Sequence, residues 1–205
     1  VKMVDGLVGE PRDLTAFTKV VEFNDEAALE AALAPGDVAC VLAEPVMTNI
    51  GMVLPEAGFL EKLRMLTEKT GTILIFDETH TLSSGPGGYS RAAGIRPDGL
   101  VFGKPIAGGI PAAAYGFSTA VAARIRDFLA QRGEGRSGIG TTLSGSKIQI
   151  ALIKSVLKAY FTEEAFAPLI ALAKKLERGI ADVIIKHSMP WHVVRVGARV
   201  EFMCT

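Results

Sequence analysis

Thr72-Ile-Leu-Ile-Phe-Asp-Glu78 and Leu100-Val-Phe-Gly-Lys104 decide how this chain is read. Each is a short apolar run bounded by Gly or Pro that ends in a charged side chain, Asp77 in one and Lys104 in the other. Such runs predict strands buried on both faces of a parallel sheet, and ligands bind beyond the carboxyl ends of such strands. A carboxylate and an amine at that edge point to chemistry there rather than to a solvated surface.

The flanking segments alternate in the same sense. Residues 38–43 predict a strand, and 55–70 carry Phe59, Leu60, Leu63 and Leu66 at helical spacing before the strand at 72–76. This β-α-β order predicts an α/β domain, a mainly parallel sheet with right-handed crossovers and flanking helices. Upstream, Asn24 is the expected cap of a helix that ends at Pro35-Gly36. Residues 83–88 read as a Gly/Ser/Pro loop, 91–97 lead into the strand at Leu100, 112–117 form a fourth strand and 119–131 a helix. The glycine-rich stretch 132–140 is a loop able to reach a neighbouring subunit. Helices follow over 144–160 and over 163–187, the second capped by Thr162 and stopped by Pro190. The alternation in 193–202 predicts a hairpin or long strand. The expected division is a large domain over 1–162, then a connecting helix and the start of a small C-terminal α+β domain over 163–205.

Composition narrows the classes. Twenty-two basic and twenty-two acidic residues cancel among 205, which leaves no net charge to recruit nucleic acid or an anionic membrane. No apolar run approaches the roughly 20 residues that span a bilayer, and no signal-peptide pattern is present, so a cytoplasmic protein is expected. Cys40, in an expected buried strand, and Cys204 have no CxxC spacing. With three scattered histidines, they predict structural thiols and no metal site. The chain opens on Val1 and stops at Thr205 directly after a strand-like stretch, as an internal fragment of a longer protein would.

Buried carboxylates need a cation or hydrogen-bond donors, and Asp77 has no Lys or Arg close to it in sequence. It is a cap, the partner of a distant arginine, or the group that keeps a cofactor ring nitrogen protonated. Lys104 lies in Phe102-Gly-Lys-Pro-Ile-Ala-Gly-Gly109, whose apolar, glycine-rich flanks predict a desolvated, nucleophilic amine. An acid for a ring nitrogen and a lysine for a Schiff base are what pyridoxal phosphate asks of its protein. Gly140-Thr-Thr-Leu-Ser-Gly145 precedes a helix and offers a phosphate site or a simple cap. His80 is placed to donate to a ring oxygen or to move a proton. Glu44, at the end of the first strand, positions a substrate group or makes a structural ion pair. The same residues also suggest a nucleotide hydrolase, with an acidic strand end and GxxxxGSK over 140–147. Against that stand a lysine displaced by one position, no strand leading into the loop and a reversed order of the two motifs.

Taken together, Glu44-Pro-Val-Met-Thr-Asn-Ile-Gly51, Gly58-Phe-Leu-Glu-Lys-Leu-Arg64, Ile75-Phe-Asp-Glu78, Pro97-Asp98, Gly103-Lys-Pro-Ile-Ala-Gly-Gly-Ile-Pro111, Ala114-Tyr-Gly116 and Thr142-Leu-Ser-Gly145 resemble the class III aminotransferases. These are fold type I pyridoxal-phosphate enzymes, and the likeness is to their glutamate-1-semialdehyde aminomutase-like branch. The resemblance implies an amino group moved between an amino acid or amine and an oxo acid, or within one molecule by an aminomutase. It implies Lys104 as the Schiff-base lysine and proton shuttle, Asp77 at the pyridinium nitrogen, and Thr142 on the cofactor phosphate of the other subunit in a homodimer. Two positions depart from the pattern: Thr79 stands where an aliphatic residue is usual, and Ser146-Lys147 where Asn-Pro is. The family's preceding phosphate turn and ring-stacking aromatic have no counterpart in this chain, nor has the carboxylate-binding arginine expected further along. A catalytically incomplete fragment or an interaction module is the alternative.

Overall fold

The computed structural model describes residues 14–131 and 144–204. A 3-10 turn, Leu14–Phe17, is followed by α1 (Glu26–Leu33), β1 (Cys40–Ala43), α2 (Phe59–Thr70), β2 (Ile73–Asp77), a 3-10 turn Thr81–Ser84, and α3 (Gly88–Ala92). Then come β3 (Gly99–Phe102), a 3-10 turn Lys104–Ala107, β4 (Ala114–Phe117), α4 (Thr119–Ala130), α5 (Lys147–Tyr160), α6 (Glu163–Lys186), β5 (Trp191–Val196) and β6 (Arg199–Cys204). Four strands form one sheet in the order β1-β2-β3-β4. The first three are parallel and β4 is antiparallel to β3, so the sheet is mainly parallel as expected. β5 and β6 pair as an antiparallel hairpin.

Local chemistry explains the element ends. Asp25, not Asn24, caps α1 by accepting from Ala28 N at 2.8 Å. Asn24 instead ties the loop before α2, donating to Leu54 O and accepting from Glu56 N, each at 2.9 Å. α2 starts at Phe59 because Gly58 before it is left-handed, with φ +91°. Thr162 caps α6, whereas α5 starts after Ser146 rather than at Ser144. The loop expected over 83–88 is partly regular, taken up by the Thr81–Ser84 turn and the start of α3.

The main core lies between the sheet and α1 and α2, where Leu29, Leu33, Phe59, Leu60, Leu63 and Leu66 enclose Leu74 and Phe76. Burial of β2 alternates, which corrects the expectation of strands covered on both faces. Leu74 and Phe76 are fully buried under these helices, while Ile73, Ile75 and Asp77 on the other face are half-buried. β1 is an edge strand among the described residues, and Cys40 on it is exposed rather than buried; both cysteines are free. Asp98 accepts from Leu74 N at 2.9 Å and pairs with Arg64 at 2.8 Å, which pins the entry of β3 to β2 and α2.

The C-terminal hairpin docks on the loops at the carboxyl edge of the sheet. Val196 packs with Val46 and Met52, and Ala198 N donates to Ser84 O at 2.8 Å. Gly197 makes this approach possible: its φ is +56°, and a methyl there would lie 1.8 Å from Ser84 O. Gly197→Ala is therefore expected to cost about 2–4 kcal/mol of stability from the strained backbone and the collision with a carbonyl. Urea unfolding checks this, and an unchanged midpoint would show the hairpin to be docked otherwise in solution.

Candidate functional site

Parallel pairing brings the two decisive side chains to one edge. Asp77 pairs with Val101, so β2 and β3 end together and Lys104 follows three residues beyond Asp77's partner. The turn Lys104–Ala107 is anchored by Ile106 and Ala107, which are buried with Leu82 and packed by Leu152, Ile153 and Leu157 of α5. Lys104 has φ +50°, a left-handed conformation that is uncommon outside glycine and here immediately precedes Pro105. Backbone strain held by a well-packed turn is a signal of function that sequence patterns do not carry.

The apolar flanks of Lys104 do not desolvate it, because its side chain is exposed. Its neighbour is instead an imidazole: Nζ lies 2.8 Å from His80 Nε2. His80 precedes the Thr81–Ser84 turn, and its carbonyl accepts from Ser83 N and Oγ, which fixes its backbone. On the other side of the ring, Arg199 Nη1 of β6 lies 2.9 Å from Nδ1. Arg199 is itself held by Glu201, whose Oε1 accepts from Nε at 2.8 Å and also from Nη2. Burial holds the His80 imidazole below the usual histidine range, and the charges of Lys104 and Arg199 add to this, while Glu44 and Glu201 pull the other way.

Glu44 is half-buried at the end of β1, close enough to act electrostatically on His80, and the Thr48 hydroxyl donates to its carboxylate. Among the described residues Asp77 makes no hydrogen bond or ion pair with this group. Among the described residues its carboxylate accepts from Thr79 N, through Oδ1 at 2.9 Å, in a tight turn just past β2. Thr142 lies outside the described residues, as do the expected loop over 132–140 and residues 141–143. Among the described residues no cluster of His, Cys, Asp or Glu could hold a metal ion.

Sequence reading missed Arg199, Glu201 and Glu78. The first two are one strand period apart in the hairpin, and that alternation is the local sign that they face one side together. Glu78 is 2% exposed and acts as a cap supplied from outside α3. Its carboxylate accepts from Tyr89 N at 3.0 Å, from Ser90 N at 2.7 Å and from the Thr81 hydroxyl. It therefore fixes the segment that carries His80 against α3, and it has no part in the edge cluster. Glu78→Ala strands the buried Ser90 and half-buried Tyr89 N–H groups and is expected to cost about 3–5 kcal/mol, against about 1–2 for Glu78→Gln, which keeps an acceptor. Thermal unfolding of both variants checks this, and equal losses would mean that the acceptor geometry does not matter.

A mainly parallel sheet with an amine, an imidazole and carboxylates at its carboxyl edge defines an α/β protein with a candidate active site there. The class-III aminotransferase family model matches residues 15–202. The chain belongs to the class-III aminotransferase family. A curated glutamate-1-semialdehyde 2,1-aminomutase of Thermomicrobium roseum is 38% identical over 200 residues, covering 94% of this chain and 45% of its own length. The counterpart in Opitutus terrae is 34% identical over 200 residues, covering 96% and 46%. Among solved structures, a glutamate-1-semialdehyde-aminomutase variant from Pseudomonas aeruginosa PAO1 in complex with PMP is similar with a TM-score of 0.85 and 48% identity, over 90% of this chain and 42% of that one. An omega-transaminase from Sphaerobacter thermophilus is similar with a TM-score of 0.76 and 30% identity, over 85% and 40%. The chain thus spans a little under half the length of the curated relatives it matches. Among the described residues no helix is long and apolar enough to cross a membrane.

Proposed function

We propose that this chain carries the ring-binding part of a pyridoxal-phosphate-dependent aminotransferase, which moves an amino group between an amino acid or amine and an oxo acid. The observation that carries this reading is the joint ending of β2 and β3, with Asp77 on one strand and Lys104 just past the other, beside His80. The residues present suit the group. Among the described residues Asp77 uses Oδ1 for the Thr79 amide, which leaves Oδ2 to accept a ring N–H. Lys104 is exposed and so is reachable by an aldehyde. When bound, pyridoxal phosphate supplies that aldehyde and an electron sink for charge developing at the substrate carbon.

Each side chain then has a stated task. Asp77 holds the proton on the ring nitrogen, because a carboxylate beside it favours the charged form. Lys104 is the point of covalent attachment and moves the proton at the reacting carbon. His80 donates toward the ring oxygen, and Glu44 orients a substrate group or braces the edge through Thr48. Thr142 would take the phosphate of the neighbouring subunit's site in a homodimer. Residues 1–162 form part of the large domain, and 163–205 the connecting helix and the start of the small one. Two free thiols suit a cytoplasmic setting.

An intramolecular aminomutase that uses the same residues is the second reading, favoured by the names of the relatives at 34–38% identity and of the P. aeruginosa structure. Incubating the full-length protein with pyridoxal phosphate, reducing with borohydride and mapping the adduct by mass spectrometry tests the shared part. The adduct is expected on Lys104; a label elsewhere, or none, overturns both readings. Screening donors and oxo acids against glutamate 1-semialdehyde then separates them.

A further inference from the structure

The hairpin and the sheet edge meet in one hydrogen-bonded line. Glu201 holds Arg199 through Nε and Nη2, Arg199 Nη1 reaches His80 Nδ1 at 2.9 Å, and His80 Nε2 reaches Lys104 Nζ at 2.8 Å. The donor and acceptor roles along this line are not free to vary. A guanidinium has only N–H donors and stays charged, so the ring nitrogen facing it must accept. A neutral imidazole carries a single ring proton, which then has only the other nitrogen to occupy.

We propose that Arg199 is a positioning residue that fixes His80 as its Nε2–H tautomer, so that the imidazole meets Lys104 as a hydrogen-bond donor. An ammonium at that distance would set N–H against N–H, whereas an amine accepts through its lone pair, the same pair a nucleophile uses. Burial, the leading influence on the ring, and the charges of Lys104 and Arg199 disfavour the imidazolium. The device depends on docking of the hairpin, because Arg199 follows directly on the Gly197 and Ala198 contacts with Ser84. The ring donor thus faces Lys104 only when β6 is seated. The use of this donor toward a cofactor rests on the reading above; the tautomer does not.

The test is made on the full-length protein without added cofactor. Long-range 1H–15N correlation spectra of the His80 ring, assigned with His80→Gln, are expected to show Nδ1 bare and Nε2 protonated at pH 7. Limited acetylation with acetic anhydride, read at Lys104 by mass spectrometry, is expected to fall several-fold in Arg199→Met and to recover in Arg199→Lys, which restores a donor. A wild-type ring protonated on Nδ1 or on both nitrogens overturns the proposal even if Arg199→Met fails to fold. So does an Arg199→Met protein that keeps both the tautomer and the labelling of wild type. Loss of the borohydride adduct at Lys104 with the Nε2–H tautomer intact would remove the cofactor reading and leave this one standing. The opposite pattern would do the reverse.

Discussion

Lys104→Ala in the full-length protein is expected to lower amino-group transfer by at least about 10³-fold and to abolish the borohydride-trapped adduct. One side chain is asked both to hold the cofactor covalently and to move the proton at the reacting carbon, and proton transfer by a positioned group alone is worth about 10²–10⁴. The fold should not notice the change. Lys104 is exposed, and the turn it opens is anchored by Ile106 and Ala107 rather than by its own side chain. An unfolding midpoint within error of wild type, measured beside the kinetics, separates loss of chemistry from loss of structure. Turnover within tenfold of wild type would refute the assignment of Lys104.

Asp77→Asn is the second large effect, an expected loss of about 10²–10³ in kcat with the adduct on Lys104 retained. The amide keeps an oxygen for the Thr79 N–H, so the turn after β2 survives. What it lacks is the negative charge that favours a protonated ring nitrogen, and electrostatic stabilisation of developing charge is commonly worth that much. Single-turnover spectra of the reduced and unreduced protein are the measurement. A variant within threefold of wild type would remove Asp77 from the ring nitrogen, whatever the behaviour of Lys104.

The two variants probe different links in the same chain of cause. Lys104 depends on a strained turn packed by α5, and Asp77 depends on strand pairing that ends β2 and β3 together. Losing the first removes an attachment point; losing the second leaves attachment and weakens the pull on electrons.

Much of the α/β order was legible because its causes are short in range. The apolar runs at 72–76 and 100–102, the helical spacing of Phe59, Leu60, Leu63 and Leu66, and Thr162 ahead of α6 each act over a few residues. Errors occurred where two neighbours compete for one local role. Asp25 took the cap expected of Asn24, which was drawn off to Leu54 and Glu56 some thirty residues away. The half-exposed face of β2 and the exposed Cys40 were not legible, since an apolar run states that a strand can be buried and not which layers cover it.

Strand order within the chain was enough to put an acid and an amine at one end of a parallel sheet, because every parallel strand presents its carboxyl end on the same side. The surroundings of that amine depended on contacts no local pattern encodes. Apolar flanks suggested a desolvated lysine, yet Lys104 is exposed and faces His80. His80 in turn meets Arg199 from 119 positions further along the chain, through a hairpin seated on Ser84. Periodicity and capping are read within a turn or two of backbone, whereas a hydrogen-bonded line across two structural units exists only after both have packed, when distance in sequence no longer separates them.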